Sequence, residues 1–146
     1  MVDAIKGNSF PYYFPDKCPP SDAENCNGSV YRAIPTKPKR QLKKHHFESP
    51  IEGTSKKNWP KTPKCEKCAV SVFRNFDEKD IIIKQLKSLP GNKDLIIKIA
   101  EAELSEKDGL ILHTPNRDMN FNSHHDWWKY NGSTSWEKFH FVEQSE

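Results

Sequence analysis

Apolar positions recur along this chain with two periods, and each period marks a different kind of element. In GSVYRAI (28–34), Val30, Arg32 and Ile34 fall on one side of an extended chain and Tyr31 and Ala33 on the other, and Pro35 closes the run. AVSVF (69–73) reads as a buried strand from its β-branched and aromatic content. TSWEKFHFVE (134–143) alternates again, with Trp136, Lys138 and His140 against Glu137, Phe139 and Phe141, and predicts the last strand of the sheet. The helical period occurs in DEKDIIIKQLKSLP, where Ile82, Leu86 and Leu89 share one face. Asn75 or Asp77 supplies the cap, and Pro90 and Gly91 the stop. DLIIKIAEAEL (94–104) fits either period. Its first half favours a strand, because Ile96 and Ile97 are β-branched and a Lys-Asp-Gly turn at 107–109 leads into GLILHT as its partner. The pattern as a whole predicts an α+β fold: a small, mostly antiparallel sheet with one main helix over about 77–89 and long irregular arms.

One domain is expected from 146 residues. Residues 1–27 read as an irregular N-terminal arm, because FPYYFP and CPP set prolines beside aromatics. Residues 28–146 form the domain, and its stretch 35–64, rich in Lys, Pro and Ser/Thr, is a basic loop with a short helix around Gln41–Phe47. Only 34% of residues are hydrophobic, so the core must lean on its four Trp, four Tyr and eight Phe. No apolar run reaches the length of a membrane span, and the N-terminus lacks the apolar stretch of a signal peptide. A cytoplasmic protein is the expectation, with thiols reduced and disulfides less expected than metal ligation or free cysteines.

The net charge of +3 hides an asymmetry. Residues 1–64 carry twelve Lys/Arg against six Asp/Glu, and residues 65–146 carry eleven against fourteen. Lys37, Lys39, Arg40, Lys43 and Lys44 crowd into PTKPKRQLKKHHF, beside His45 and His46. Such a strip suits an acidic protein or a nucleic-acid backbone. The densest chemical cluster is SHHDWWKY (123–130), with His124, His125, Asp126, Trp127 and Trp128. Read as a loop at the rim of the sheet, it offers imidazole held by a carboxylate and an aromatic contact surface. Two adjacent tryptophans cannot both enter one side of a sheet, so one of the pair is expected to be part-exposed. These two regions together predict a small intracellular binding domain.

KCEKC offers Cys65 and Cys68 as half of a zinc site, because a tight turn can aim both thiolates at one tetrahedral centre. The remaining ligands would come from Cys18, Cys26, His45, His46, His113, His124 or His125. Plain free cysteines and a redox dithiol are the other readings of the same spacing. Glycine-rich phosphate loops and a nucleophile elbow are absent from the sequence.

Three resemblances follow from these residues. Arg32, Ser71 and Glu137, on three successive expected strands, resemble the Arg–Ser–Glu order of ADP-ribosyltransferases. That likeness implies a nicotinamide dinucleotide (NAD) bound by Arg32 and Ser71, with Glu137 stabilising an oxocarbenium ion. Position 135, where the family usually carries a second Glu or Gln, is Ser. CEKC with His113, Asn120, His124 and His125 resembles the residue set of HNH nucleases, over a longer span than that motif uses. The ordered words GSVYRAI, CAVSVF, DGLILHTP and SHHDWW are similar to a group of small uncharacterised bacterial proteins with a YRA, SVF and HHxWW pattern, which implies a bacterial source and one small domain.

Overall fold

The computed structural model describes residues 9–115 and 122–142. Within them lie β1 (Glu24–Asn25), β2 (Gly28–Thr36), β3 (Val70–Phe73), α1 (Lys79–Lys87), β4 (Ile96–Leu104), β5 (Leu110–His113), β6 (His124–Trp128) and β7 (His140–Phe141). The strands form one antiparallel sheet in the order β1-β5-β6-β3-β2-β4-β7. This is the α+β architecture that the sequence pattern predicts.

The connections do not allow the sheet to lie flat. β1 and β2 are four strand spacings apart in the sheet order, roughly 19 Å in a flat sheet. Yet only Cys26 and Asn27 separate Asn25 from Gly28, a reach of at most about 11 Å. The sheet therefore curls back on itself, and the Cys26 N–H, donating to the Gly109 carbonyl at 3.2 Å, carries the β1–β5 pairing up to the crossing into β2. Inside the curl lie Val30, Ile34, Val70, Val72, Ala100, Ala102, Leu104, Ile111 and Trp127, with Phe47 and Phe139 packed against them. The outer side is covered in two places. α1 lays Ile82, Ile83 and Leu86 over Tyr31, Ala33, Phe73 and Ile99. Elsewhere Phe10, Tyr13 and Phe14 of the arm and Ile51 of the basic loop cover Ala69, Leu110 and Trp128.

The helix begins where its cap predicts. The Asn75 side chain accepts from the Asp77 N–H at 3.0 Å, a 3-10 turn runs over Phe76–Glu78, and α1 follows. Ile82 is buried, whereas Leu89 lies past the last turn and is 44% exposed. A second 3-10 turn, Lys44–Phe47, occupies the short helix expected in the basic loop.

Three strand expectations need correction. Pro35 does not close the first strand: β2 runs through it to Thr36, with Pro35 opposite Ile97 and Thr36 opposite Ile96. Residues 96–104 are strand throughout, but GLILHT is not their partner. β4 pairs with β2 over nine residues and with β7, and β5 pairs with β1 and β6. Ser105 and Asp108 cap each other in a 3-10 turn over Glu106–Asp108, which is longer than a tight hairpin loop. Gly109 then passes so near Trp128 that an added Cβ would sit 2.0 Å from the Trp128 carbonyl oxygen, at φ +122°. That close approach aligns the chain with β6.

TSWEKFHFVE likewise holds only the two-residue β7, preceded by a 3-10 turn over Ser135–Lys138. The turn places Ser135 and Lys138 on one side, where the Ser135 hydroxyl and the Lys138 ammonium each donate to the Asp108 carboxylate at 2.6 Å. The Ser105 N–H donates to the same carboxylate at 2.7 Å, and the Trp127 indole donates to the Asp108 carbonyl at 2.9 Å. Burial opposes the charge on Asp108, but the bonds from Lys138, Ser135 and Ser105 outweigh it and hold its pKa below the ordinary value.

Replacing Gly109 with Ala should cost about 2–3 kcal/mol, from strain at positive φ and the clash with Trp128. A lower urea midpoint at unchanged m-value would show it; an unchanged midpoint would contradict the close approach. Because the folded pKa of Asp108 is depressed, its stabilisation is present above the unfolded-state value and is lost as pH falls through the folded value. Asp108→Asn should therefore cost about 1.5–3 kcal/mol at pH 7. The gap from the parent should close in acid, as chemical denaturation at a series of pH values would reveal.

Candidate functional site

The His–Trp stretch is not a loop. His124–Trp128 is β6, between β5 and β3 near the middle of the sheet. His124 and Asp126 are 2% exposed, Trp127 0% and Trp128 1%. The expectation of a part-exposed tryptophan fails because both sides of the curled sheet are covered. Trp127 points into the curl, and Trp128 points out beneath the arm, donating its indole N–H to the Cys65 carbonyl at 3.0 Å. His124 Nδ1 lies 2.8 Å from the Thr114 hydroxyl. His125 shares its side of the sheet with His113, their rings 4.9 Å apart. Burial, with His113 and Arg74 nearby, holds the His125 pKa below its ordinary value. Asn120 lies outside the described residues.

Arg32, Ser71 and Glu137 do not form one cleft. β2 and β3 share a single bridge pair, Tyr31 with Phe73, and then part. The Arg32 guanidinium fills the opening, donating to the Ser71 carbonyl and the His46 carbonyl, each at 2.7 Å. Burial pulls its pKa down to about 10, so it stays charged at neutral pH. Arg32 and Ser71 border a cavity of about 150 Å³ beside α1, whereas Glu137 lines a different cavity next to Asp108 and Lys138. Glu137 also sits on a turn, not on the strand that the resemblance needs.

The zinc reading of Cys65 and Cys68 gives way to a disulfide. Cys65 is bonded to Cys18, with Cα atoms 5.5 Å apart, and closes the arm onto the basic loop. Cys26 and Cys68 are free and buried. Among the described residues, no group of three or more His, Cys, Asp or Glu side chains converges as a metal site. The expectation of four reduced thiols fails because the arm folds back over Trp128 and brings Cys18 to the turn at Cys65–Cys68, an approach that sequence separation does not reveal.

The two regions singled out in the sequence do meet, but through other residues. A cleft of about 440 Å³ is walled by Pro11–Phe14 of the arm on one side and by Lys44, Glu48 and Glu52 of the basic loop on another. Lys129, Tyr130 and the loop 131–133, which follow β6, complete it. At its base the Lys129 ammonium pairs with Glu52 at 2.8 Å and donates to the Phe47 carbonyl at 2.8 Å. Glu52 is oriented by Ser49: the Ser49 N–H donates to its carboxylate at 2.9 Å, and the Glu52 N–H donates back to the Ser49 hydroxyl at 3.2 Å. Burial and the Glu52 charge raise the pKa of both Tyr13 and Cys68, the latter to about 11. Tyr13 thus remains a phenol donor and Cys68 a thiol at neutral pH.

Outside this base, Lys37, Lys39, Arg40, Lys43 and Lys44 are all exposed. Among the described residues, no ion pair engages them. His46 is different: it is buried, its Nδ1 accepts from the Lys43 N–H at 2.9 Å, and burial, together with His45, Arg32 and Arg40, lowers its pKa. It is a structural part of the basic loop, and burial works against any charge on it. Glu52 and Lys129 were missed in the sequence. Ser49-Pro-Ile-Glu52 is a capping-box pattern that would have marked Glu52. Lys129 carries no such local signal.

Comparison with family models, curated proteins and solved structures finds no match to this chain. Denatured without reductant, the protein should show two reactive thiols per chain by thiol titration, and four after reduction. Four before reduction would remove the disulfide, and zinc released on denaturation would restore the metal reading.

Proposed function

We propose that this protein is a binding domain for an acidic protein segment, held by the exposed strip Lys37, Lys39, Arg40, Lys43 and Lys44 and anchored in the adjoining cleft. The observation that carries the reading is the shared wall of that cleft: Lys44 of the basic loop lines it together with Lys129 and Tyr130, which follow the His–Trp strand. Five exposed cations, with no ion pair to them among the described residues, attract an anionic partner at long range. The cleft then supplies a fixed point, with the Tyr12, Tyr13 and Phe14 rings as an apolar wall for one side chain and Lys44 as a donor at the rim. The Lys129–Glu52 pair is already satisfied and serves to hold the cleft open, not to bind. The intact disulfide fits an oxidising compartment better than the cytoplasm suggested by the N-terminal sequence.

A labelled peptide of alternating Asp and Glu around one central Trp is a direct probe. Fluorescence anisotropy should show binding that weakens about tenfold or more as salt rises from low to several times physiological, since exposed charges are screened over about 10 Å at 0.1 M. Lys39→Glu combined with Lys44→Glu should weaken it by a similar factor without shifting the unfolding midpoint. Tighter binding of a single-stranded oligonucleotide than of the peptide would reassign the strip to nucleic acid. No binding of either probe at low salt would end the reading.

A further inference from the structure

The cleft wall carries an unused thiol beside a disulfide. Cys65 and Cys68 occupy the two ends of one 3-10 turn, Cys65–Cys68. In a 3-10 turn, residues three apart are eclipsed and rise about 2 Å per residue, which puts their Cα atoms roughly 6 Å apart on one side. That separation is within the range of a disulfide. Cys18, Cys65 and Cys68 belong to one cluster, with Ala69 and Trp128, while Cys26 is packed in the separate cluster inside the curl. Cys68 is also a lining residue of the cleft, so it lies beside the arm that the Cys18–Cys65 bond holds in place.

We propose that Cys18, Cys65 and Cys68 form a thiol–disulfide exchange site, in which Cys68 takes over Cys65 from Cys18 and frees the N-terminal arm. The Cys68 thiolate attacks the Cys65 sulfur, the Cys65–Cys18 bond breaks, and a Cys65–Cys68 bond forms. Cys18 leaves as a thiolate and takes up a proton equivalent to the one Cys68 gave up. One disulfide and one thiol are present before and after, so the step needs no external oxidant or reductant. The consequence for binding rests on the reading of the cleft given above: Pro11–Phe14 form one wall, and Cys18 fastens that segment to the basic loop. After exchange the wall is held by the packing of Phe10, Tyr13 and Phe14 and by the Asn131 N–H, which donates to the Ser9 carbonyl at 2.6 Å. Exchange is latent in the closed protein because burial and Glu52 keep Cys68 protonated. It is promoted by alkaline pH or by whatever opens the cleft.

The test uses the full chain, oxidised and without ligand, so its outcome is independent of the binding reading. The protein is held between pH 7 and 9.5 in mild urea below its unfolding midpoint, then quenched in acid, alkylated and cut with trypsin. Cleavage after Lys17, Arg32, Lys64, Lys67 and Arg74 puts Cys18 and Cys26 together on peptide 18–32, Cys65 on 65–67 and Cys68 on 68–74. Mass spectrometry therefore separates the two disulfides. The expected result is a 65–67/68–74 linked pair that grows with pH at the expense of the 18–32/65–67 pair, while 18–32 gains a second alkyl group, on Cys18, in proportion. Cys68→Ser should keep the 18–32/65–67 pair at every pH, and Cys26→Ser should exchange like the parent. Only the 18–32/65–67 pair at every pH in the parent, or loss of exchange in Cys26→Ser, would overturn the proposal.

Discussion

Two residues, Cys26 and Asn27, are all that join strands lying four places apart in the sheet order. Chain geometry forbids that in a flat sheet, so the sheet must curl, and most of what distinguishes this molecule follows from the curl. A curled sheet has an enclosed side that fills with Val, Ala, Leu and one Trp. Its outer side has to be covered by whatever else the chain provides: one helix, the N-terminal arm and part of the basic loop. A chain with only 34% hydrophobic residues can meet this demand because aromatics do much of the covering.

Charged side chains complete the regions where regular pairing stops. Arg32 spans the gap where β2 and β3 part, Asp108 gathers two turns and the indole of Trp127, and Lys129 ties the end of β6 to the basic loop. Each has direct partners for its charge, as a charge removed from water requires. Their bonds to backbone carbonyls and turn residues give them a structural task, and the candidate binding surface lies instead where the cations of the basic loop are exposed.

The basic loop links stability to the proposed recognition surface. Its inner residues, Phe47, Ser49, Ile51 and Glu52, are tied into the domain, while its lysines face solvent. The arm and this loop wall the same cleft and are joined by the Cys18–Cys65 bond. Cleft shape, arm position and cysteine state are thus properties of one local assembly. A rigid sheet presenting adaptable loops is a common arrangement for binding.

Side-chain periodicity in the sequence determined the fold class, β2 and β3, the helix with its Asn75 cap, and the presence of a strand at 96–104, because these depend on residues near in sequence. Three of the misplacements made by the same local signals have a clear tertiary cause. The pairing of β4 was decided by β2 and by the passage of Gly109 against Trp128, contacts that periodicity does not encode. The tryptophan pair was buried because both sides of β6 were covered, by elements from distant parts of the chain. The fate of Cys65 was set by an arm 47 residues away in sequence. An alternating pattern says which residues share a side of a strand, but what lies over that side is a matter of tertiary packing, so the cleft between arm, basic loop and Lys129 came from the three-dimensional structure alone.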